Sequence, residues 1–218
     1  MAPRIALIHV SPIAMQPVED AFKRMWPEAD RANILDESLF HDRGKTNDLT
    51  PPLADRIVRL SEYAKVCGAD AILYTCSAFG EAIETVQRTN TMPVLKPNEA
   101  MFEAALEHGT NIGMLATASF AVGGLEQEFR DLAKARGIPA TIRTHCVSGA
   151  MQAVVRGDAA EHNRLLAESA HHLAGCDAII LAHFSTSRAL DVVAARVAVP
   201  VLTAPGAAIT KLRRLLAA

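Results

Sequence analysis

The chain has 218 residues, half of them apolar and few aromatic, enough to bury one large or two small cores and too hydrophobic for a disordered chain. Its 22 basic and 24 acidic residues give a formal charge of −2 and are mixed along the sequence, so no single-sign block invites nucleic acid or an anionic bilayer. No apolar run approaches the roughly 18 to 20 residues of a membrane span, and Met1 to Val10 is too short and lacks the cleavage site of a signal peptide, so a cytoplasmic location is expected.

Arg4 to Val10 is a short β-branched run broken by Ser11–Pro12, the pattern of a buried strand entering a loop. Pro17 to Ala32 carries Val18, Ala21, Phe22, Met25 and Ala29 at helical spacing and predicts an amphipathic helix that Pro27 bends or ends. Asn33 to Leu35 predicts a second strand. Asp36 to Pro52, polar and turn-rich around His41–Asp42–Arg43–Gly44, predicts a long mobile loop of the kind found at active sites. Leu53 to Val66 has a clear helical period closed near Gly68. Ala71 to Thr75 then makes a third strand, with Ser77 as N-cap of a helix through Gln87. Pro93 to Leu95 is a fourth short strand and Asn98 to Glu107 a helix.

From Asn111 the pattern restarts. Asn111 to Thr117 lies about 107 residues after Arg4 to Val10, and the same spacing sets Phe129 opposite Phe22, Leu165 opposite Val58, Asp177 opposite Asp70, and Pro200 to Leu202 opposite Pro93 to Leu95. One spacing that aligns separate elements without a gap marks an internal duplication. The expected fold is therefore α/β: two pseudo-symmetric Rossmann-like domains, each a parallel sheet flanked by helices. They are expected to span 1–98 with 206–218, and 99–205, with the active site in a cleft between them, because ligands gather outside the carboxyl ends of parallel strands.

Four cysteines, at 67, 76, 146 and 176, show no C-x-x-C spacing and are expected as free thiols. Cys67 and Cys176 fall at a helix end and a strand start, which are core positions, and Cys146 beside His145 is a weaker chemical candidate. Cys76 differs. It ends a strand, precedes a helix whose N-terminal amides favour a thiolate, and lies between the hydroxyls of Thr75 and Ser77. The repeat pairs it with His183, whose imidazole can give or take a proton near neutral pH. A thiol and an imidazole on opposite faces of a bound molecule suit removal and delivery of a proton at a carbon next to a carboxylate. Ser11, Thr75, Ser77, Thr117, Ser119, Ser185 and Thr186 fall at predicted strand ends, where hydroxyls can hold the charge of a carboxylate or carbanion, although each also reads as a helix cap.

Other chemistries have less support. His9, Cys76 and His183 are zinc-type ligands, but no paired-cysteine or H-E-x-x-H spacing supports a metal. No glycine-rich phosphate loop follows a strand, which argues against nucleotide cofactors. Gly80 and Ala82 stand where a sulfatase-type cysteine and a cysteine phosphatase would need arginine. His171–His172 reads as a solvated helical pair. Arg43 reads as a surface residue, with contact to an anionic substrate as the lesser option.

The two-fold repeat, the strand end Tyr74–Thr75–Cys76–Ser77, the strand end Leu115–Ala116–Thr117–Ala118–Ser119 and the Pro-Val-Leu strands resemble the aspartate/glutamate/hydantoin racemase superfamily, which includes arylmalonate decarboxylases and maleate isomerases. The resemblance covers essentially the whole chain. It implies two α/β domains, cofactor-independent proton transfer by cysteines, and Ser/Thr and backbone donors for a substrate carboxylate. Cys76 matches the first catalytic cysteine of such proteins, and Thr75, Ser77, Thr117 and Ser119 match carboxylate-binding positions. The second cysteine would be expected at or beside His183, where this chain reads Ala182–His183–Phe184; the arylmalonate decarboxylase branch instead keeps only the second-half cysteine.

The expected function is a cofactor-independent isomerase of racemase or epimerase type acting on a small acid or amino acid, with Cys76 and His183 as opposed acid and base. The alternatives are a lyase or decarboxylase acting on a malonate-like acid and a non-catalytic small-acid binding protein. The expected partners are a small carboxylate and further copies of the chain as a homodimer or larger homo-oligomer, with no nucleic acid, membrane, cofactor or metal.

Overall fold

Runs such as Ile5–Ala6–Leu7–Ile8 and Ala178–Ile179–Ile180–Leu181 are apolar at every position rather than at alternate ones, as strands covered on both faces require. The computed structural model describes residues 2–46 and 48–217; Met1, Asn47 and Ala218 lie outside the described residues. The chain divides into two units, one formed by residues up to Ala100 together with those from Ala208 onward, the other by Met101–Ala207.

The first unit runs β1 (Arg4–His9), α1 (Met15–Met25), β2 (Asp30–Leu35), α2 (Glu37–Arg43), α3 (Pro51–Val66), β3 (Ala71–Tyr74), α4 (Gly80–Thr89) and β4 (Val94–Leu95). Helix α5 (Glu99–Leu106) begins in it and continues into the second unit. The second unit holds β5 (Asn111–Ala116), α6 (Ser119–Ala135), β6 (Thr141–Cys146), α7 (Ala150–Val155), α8 (Ala159–Ser169), β7 (Ala178–Leu181), α9 (Leu190–Ala194) and β8 (Val201–Thr203), after which α10 (Ala204–Ala217) leads into the first.

Each unit has one four-stranded sheet with every pairing parallel, in the orders β2-β1-β3-β4 and β6-β5-β7-β8. The register repeats as well: Leu7 lies opposite Leu73, and Met114 opposite Ile180. On the first sheet Ile8, Ile72 and Tyr74 pack with Leu39, Ile57, Phe79 and Ile83 from the covering helices and turns. In the second Leu115, Ile179 and Leu181 pack with Leu166, Leu173 and Val193. Each such side chain contributes about 1.5–3 kcal/mol relative to an exposed position.

The duplicated Gly-x-Asp has a structural cause. Gly68 and Gly175 both take the left-handed conformation, φ +72° and +84°, that turns the chain from a helical segment toward the sheet. Two residues later, Asp70 accepts from the Arg4 backbone N–H at 2.7 Å, and Asp177 accepts from those of Thr110 and Asn111 at 2.9 and 2.8 Å. The same carboxylate thus closes the start of the central strands in both halves.

Four expectations need correction. The helix expected over 17–32 is α1, which starts at Met15 and stops at Met25, because Pro27 follows and Asp30 already pairs with Arg4 in the sheet. The expected loop over 36–52 contains α2, capped by the Asp36 carboxylate on the Ser38 N–H at 3.1 Å; Asn47, also in that stretch, lies outside the described residues. Ser77 is no helix cap: it opens a 3-10 turn, Ser77–Phe79, that precedes α4. The repeat is not gapless either, since β6 begins four residues later relative to β5 than β2 does relative to β1, after a longer helix, α6 in place of α1.

Candidate active site

Strands β1 and β3 are neighbours and end together, which brings residues far apart in sequence to one rim. Cys76 lies two residues past β3 in extended backbone, φ −133° and ψ 125°, half-buried, just before the 3-10 turn. Burial pushes its thiol above its ordinary value, while the Ala78 backbone N–H and the Arg43 charge pull the other way. The thiol therefore keeps its proton at neutral pH.

Arg43, which reads as a surface residue in the sequence, is partly buried. At the end of α2 its Nε donates to the Ala78 carbonyl at 3.2 Å and its Nη1 to the Thr46 carbonyl at 2.8 Å, which sets a cation beside the cysteine. Arg56 of α3 holds α2 in place by donating to Asp36 at 2.7 Å and Asp42 at 2.9 Å. Neither the helix that ends at Arg43 nor its partner 35 positions away is marked in the sequence, where this stretch reads as a loop.

Thr75 is buried between β1 and β3. Its Oγ1 lies 2.9 Å from Nδ1 of the fully buried His9 and 3.3 Å from the Ile8 carbonyl. The other ring nitrogen of His9 faces Asn33 Oδ1 at 2.9 Å, so both nitrogens are engaged and neither offers a lone pair to a metal. Ser11 caps the 3-10 turn Pro12–Ala14 through a long, 3.5 Å contact with the Ile13 N–H, and Ser77 is exposed beside Cys76. The first unit thus brings together Cys76, Thr75, His9 and Arg43.

In the second unit β5 and β7 end side by side in the same way. His183, two residues past β7, is the only non-glycine with positive φ among the described residues, at φ 72° and ψ 149°. That region is sparsely populated except by glycine and costs on the order of 1–3 kcal/mol. Its Nε2 is buried without a hydrogen-bond partner, and burial holds the imidazole below its ordinary value, hence neutral at pH 7.

Thr117, just past β5, also has a buried hydroxyl with no partner, and Ser119 opens α6, exposed. Ser185 and Thr186 are buried in the 3-10 turn Phe184–Ala189 that follows His183. The Thr186 hydroxyl donates to the carbonyls of Ala182 and His183, which ties it to the strained turn.

The remaining candidates stand elsewhere. Cys176 is buried, whereas Cys67, expected in the core, is half-buried at the end of α3; all four cysteines are free. His171 and His172 lie in a 3-10 turn rather than a helix, and His145 stacks on His172 with ring centroids 4.0 Å apart. Among the described residues no group of three or more His, Cys, Asp or Glu side chains is placed to hold a metal, and no helix is long and apolar enough to cross a membrane.

Solved structures resemble the chain over nearly its whole length. Allantoin racemase from Klebsiella pneumoniae is 16% identical with a TM-score of 0.74, the match covering 99% of this chain and 88% of that one. Aspartate racemase from Picrophilus torridus is 15% identical with a TM-score of 0.68, covering 96% and 94%. Arylmalonate decarboxylase is 18% identical with a TM-score of 0.67, covering 98% and 92%. At such identities the likeness is one of fold. No curated protein sequence matches the chain significantly. The model of the Asp/Glu/Hydantoin racemase family, by contrast, matches residues 41–174, more than half of the sequence, and the chain belongs to that family.

Proposed function

We propose that the protein is a cofactor-independent isomerase of a small carboxylate that moves protons through Cys76 and His183. One observation carries the proposal. At equivalent strand ends burial leaves the thiol holding its proton and the imidazole without one, so one group is ready to give what the other is ready to take. Family membership supports it, since the family takes its name from racemases of aspartate, glutamate and hydantoins.

In the proposed cycle His183 Nε2 takes the proton from the carbon next to the carboxylate, and the electron pair left behind spreads onto the carboxylate oxygens. Hydroxyl donors at the strand ends, Thr117 foremost because its oxygen has no internal partner, hold that charge. Cys76 Sγ then supplies the proton that replaces the one removed, and the carbon is inverted. The pair finishes as thiolate and imidazolium, the state needed to run the exchange backward.

Incubation of the full chain with aspartate, glutamate and 5-substituted hydantoins in deuterated water tests this by proton NMR. Inversion should be accompanied by deuterium at the inverted carbon. Inversion that leaves the original hydrogen there rejects proton transfer at that carbon.

A decarboxylase is the second reading, favoured by the likeness to arylmalonate decarboxylase and by the single strand-end thiol, because loss of carbon dioxide needs a proton donor and no base. Release of carbon dioxide from a 2-substituted malonate, with deuterium at the new C–H bond, would select it over the isomerase.

A further inference from the structure

His9 is fully buried at the end of β1, and its surroundings decide where its protons sit. Asn33 on β2 donates through its amide nitrogen to Glu19 Oε1 at 2.9 Å, so it presents its oxygen, not its nitrogen, to His9 Nε2 at 2.9 Å. Nε2 must therefore carry a hydrogen. Glu19 of α1 is itself held by Arg31 of β2, whose Nε donates to Oε2 at 3.1 Å.

With Nε2 fixed as a donor, the ring has two states. When it is neutral, the Nδ1 lone pair accepts the Thr75 hydroxyl hydrogen at 2.9 Å, and Thr75 can show a ligand lone pairs alone. When it is cationic, Nδ1–H donates to Thr75 instead, and the hydroxyl hydrogen turns to the Ile8 carbonyl, 3.3 Å away, or to a bound carboxylate oxygen, whose charge makes it the stronger acceptor. Burial favours the neutral ring, against the opposing pull of Asn33 and Glu19. The charged and titratable groups around it are Glu19 from α1 and Arg31 from β2, Asp36 after β2 in its pair with Arg56, and Cys76 next to Thr75 on the β3 side.

A carboxylate accepts hydrogen bonds and gives none. We propose that His9 is a positioning residue that turns the Thr75 hydroxyl from acceptor to donor, taking up one proton from solvent whenever a carboxylate binds at Thr75. This rests on the reading of Thr75 as part of a carboxylate site. Binding and protonation are then linked in both directions, and affinity for a carboxylate falls about tenfold for each pH unit over the range in which the bound ring is charged and the free ring is not.

Acetate serves as the probe, with chloride at equal ionic strength as the control. The full chain, labelled with nitrogen-15, reports the His9 ring nitrogens and the Thr75, Cys76 and Ser77 amides by NMR at pH 7. Without acetate, Nε2 should be protonated and Nδ1 bare. At saturating acetate both should be protonated, with the expected pH slope in affinity, and Thr75→Val should abolish the change at His9. If the three amides shift on saturation while the His9 nitrogens do not, or if affinity is flat with pH, the proposal is overturned and the carboxylate site stands. If acetate leaves the three amides unmoved, the carboxylate site itself is overturned, and the proposal with it.

Discussion

In the first half β1 ends at His9 and β3 is followed by Thr75, and the two side chains hydrogen-bond; about 107 residues on, the same positions are Ala116 and Ala182, both fully buried. Around them the scaffold is unchanged. Glu19 accepts from Asn33 in one half, and its counterpart Glu126 accepts from Thr144 at 2.6 Å in the other, with Asn33 and Thr144 at matching register positions, opposite Leu7 and Met114. The duplicated fold keeps its supports and varies the groups at the rim. Among the described residues the first half has no buried side-chain nitrogen or oxygen without a partner and leaves Cys76 in relaxed backbone, whereas the second leaves Thr117 Oγ1, His162 Nε2 and His183 Nε2 without one and holds His183 in strained backbone. Buried polar groups with no internal partner are costly, and a ligand can satisfy them. On the proposed function, a bound carboxylate would satisfy the Thr117 hydroxyl at this rim.

The largest test of this asymmetry is loss of each strand-end group. Cys76→Ala should lower proton exchange, measured as deuterium incorporation, by about 10²–10⁴-fold, the range for a general acid or base, while carboxylate binding persists. Retained turnover would show that the thiol is dispensable.

His183 offers a sharper contrast, because there the proposed role and the strain coincide. His183→Gly should also abolish exchange, yet it should melt higher than His183→Ala, since glycine alone relieves a cost on the order of 1–3 kcal/mol. In a chain of this length that corresponds to about 2–4 °C per kcal/mol, partly offset by glycine's extra chain entropy. Cys76→Gly should show no such advantage over Cys76→Ala. Equal melting of the two His183 variants would remove strain from the account.

pH separates the two groups next. His183 is depressed below the ordinary histidine value of about 6.5, so it stays neutral at pH 7, and exchange should fall only as acid protonates it; Cys76 is raised, so exchange should fall at the alkaline end, where the thiol loses its proton. Stability should follow the histidines. His9 and His183 bind protons more weakly folded than unfolded, so their contribution is full above about pH 6.5 and is lost as pH falls below it, which denaturant midpoints at pH 7.5 and 5 would detect. The smallest effect is expected from Arg43→Leu, which removes the cation that opposes the rise of the Cys76 thiol: the alkaline limb should move to higher pH with a few-fold change in rate. A limb that does not move would confine Arg43 to anchoring α2.

Local pattern alone specified much of this protein. Continuous apolar runs announced β1, β3, β5 and β7, and the spacing of Asp70 and Asp177 and of Cys76 and His183 exposed the duplication, because central strands and their flanking turns tolerate few residue types. Tertiary structure decided the rest. Helix α2 is too short to be stable alone and is secured by Arg56 from α3, so its pattern looked like a loop. His9 and Thr75 are 66 positions apart and meet because parallel pairing sets two strand ends side by side. His183 carried no sign of its backbone, since positive φ is marked in a sequence by glycine, and only the surrounding fold can hold another residue there.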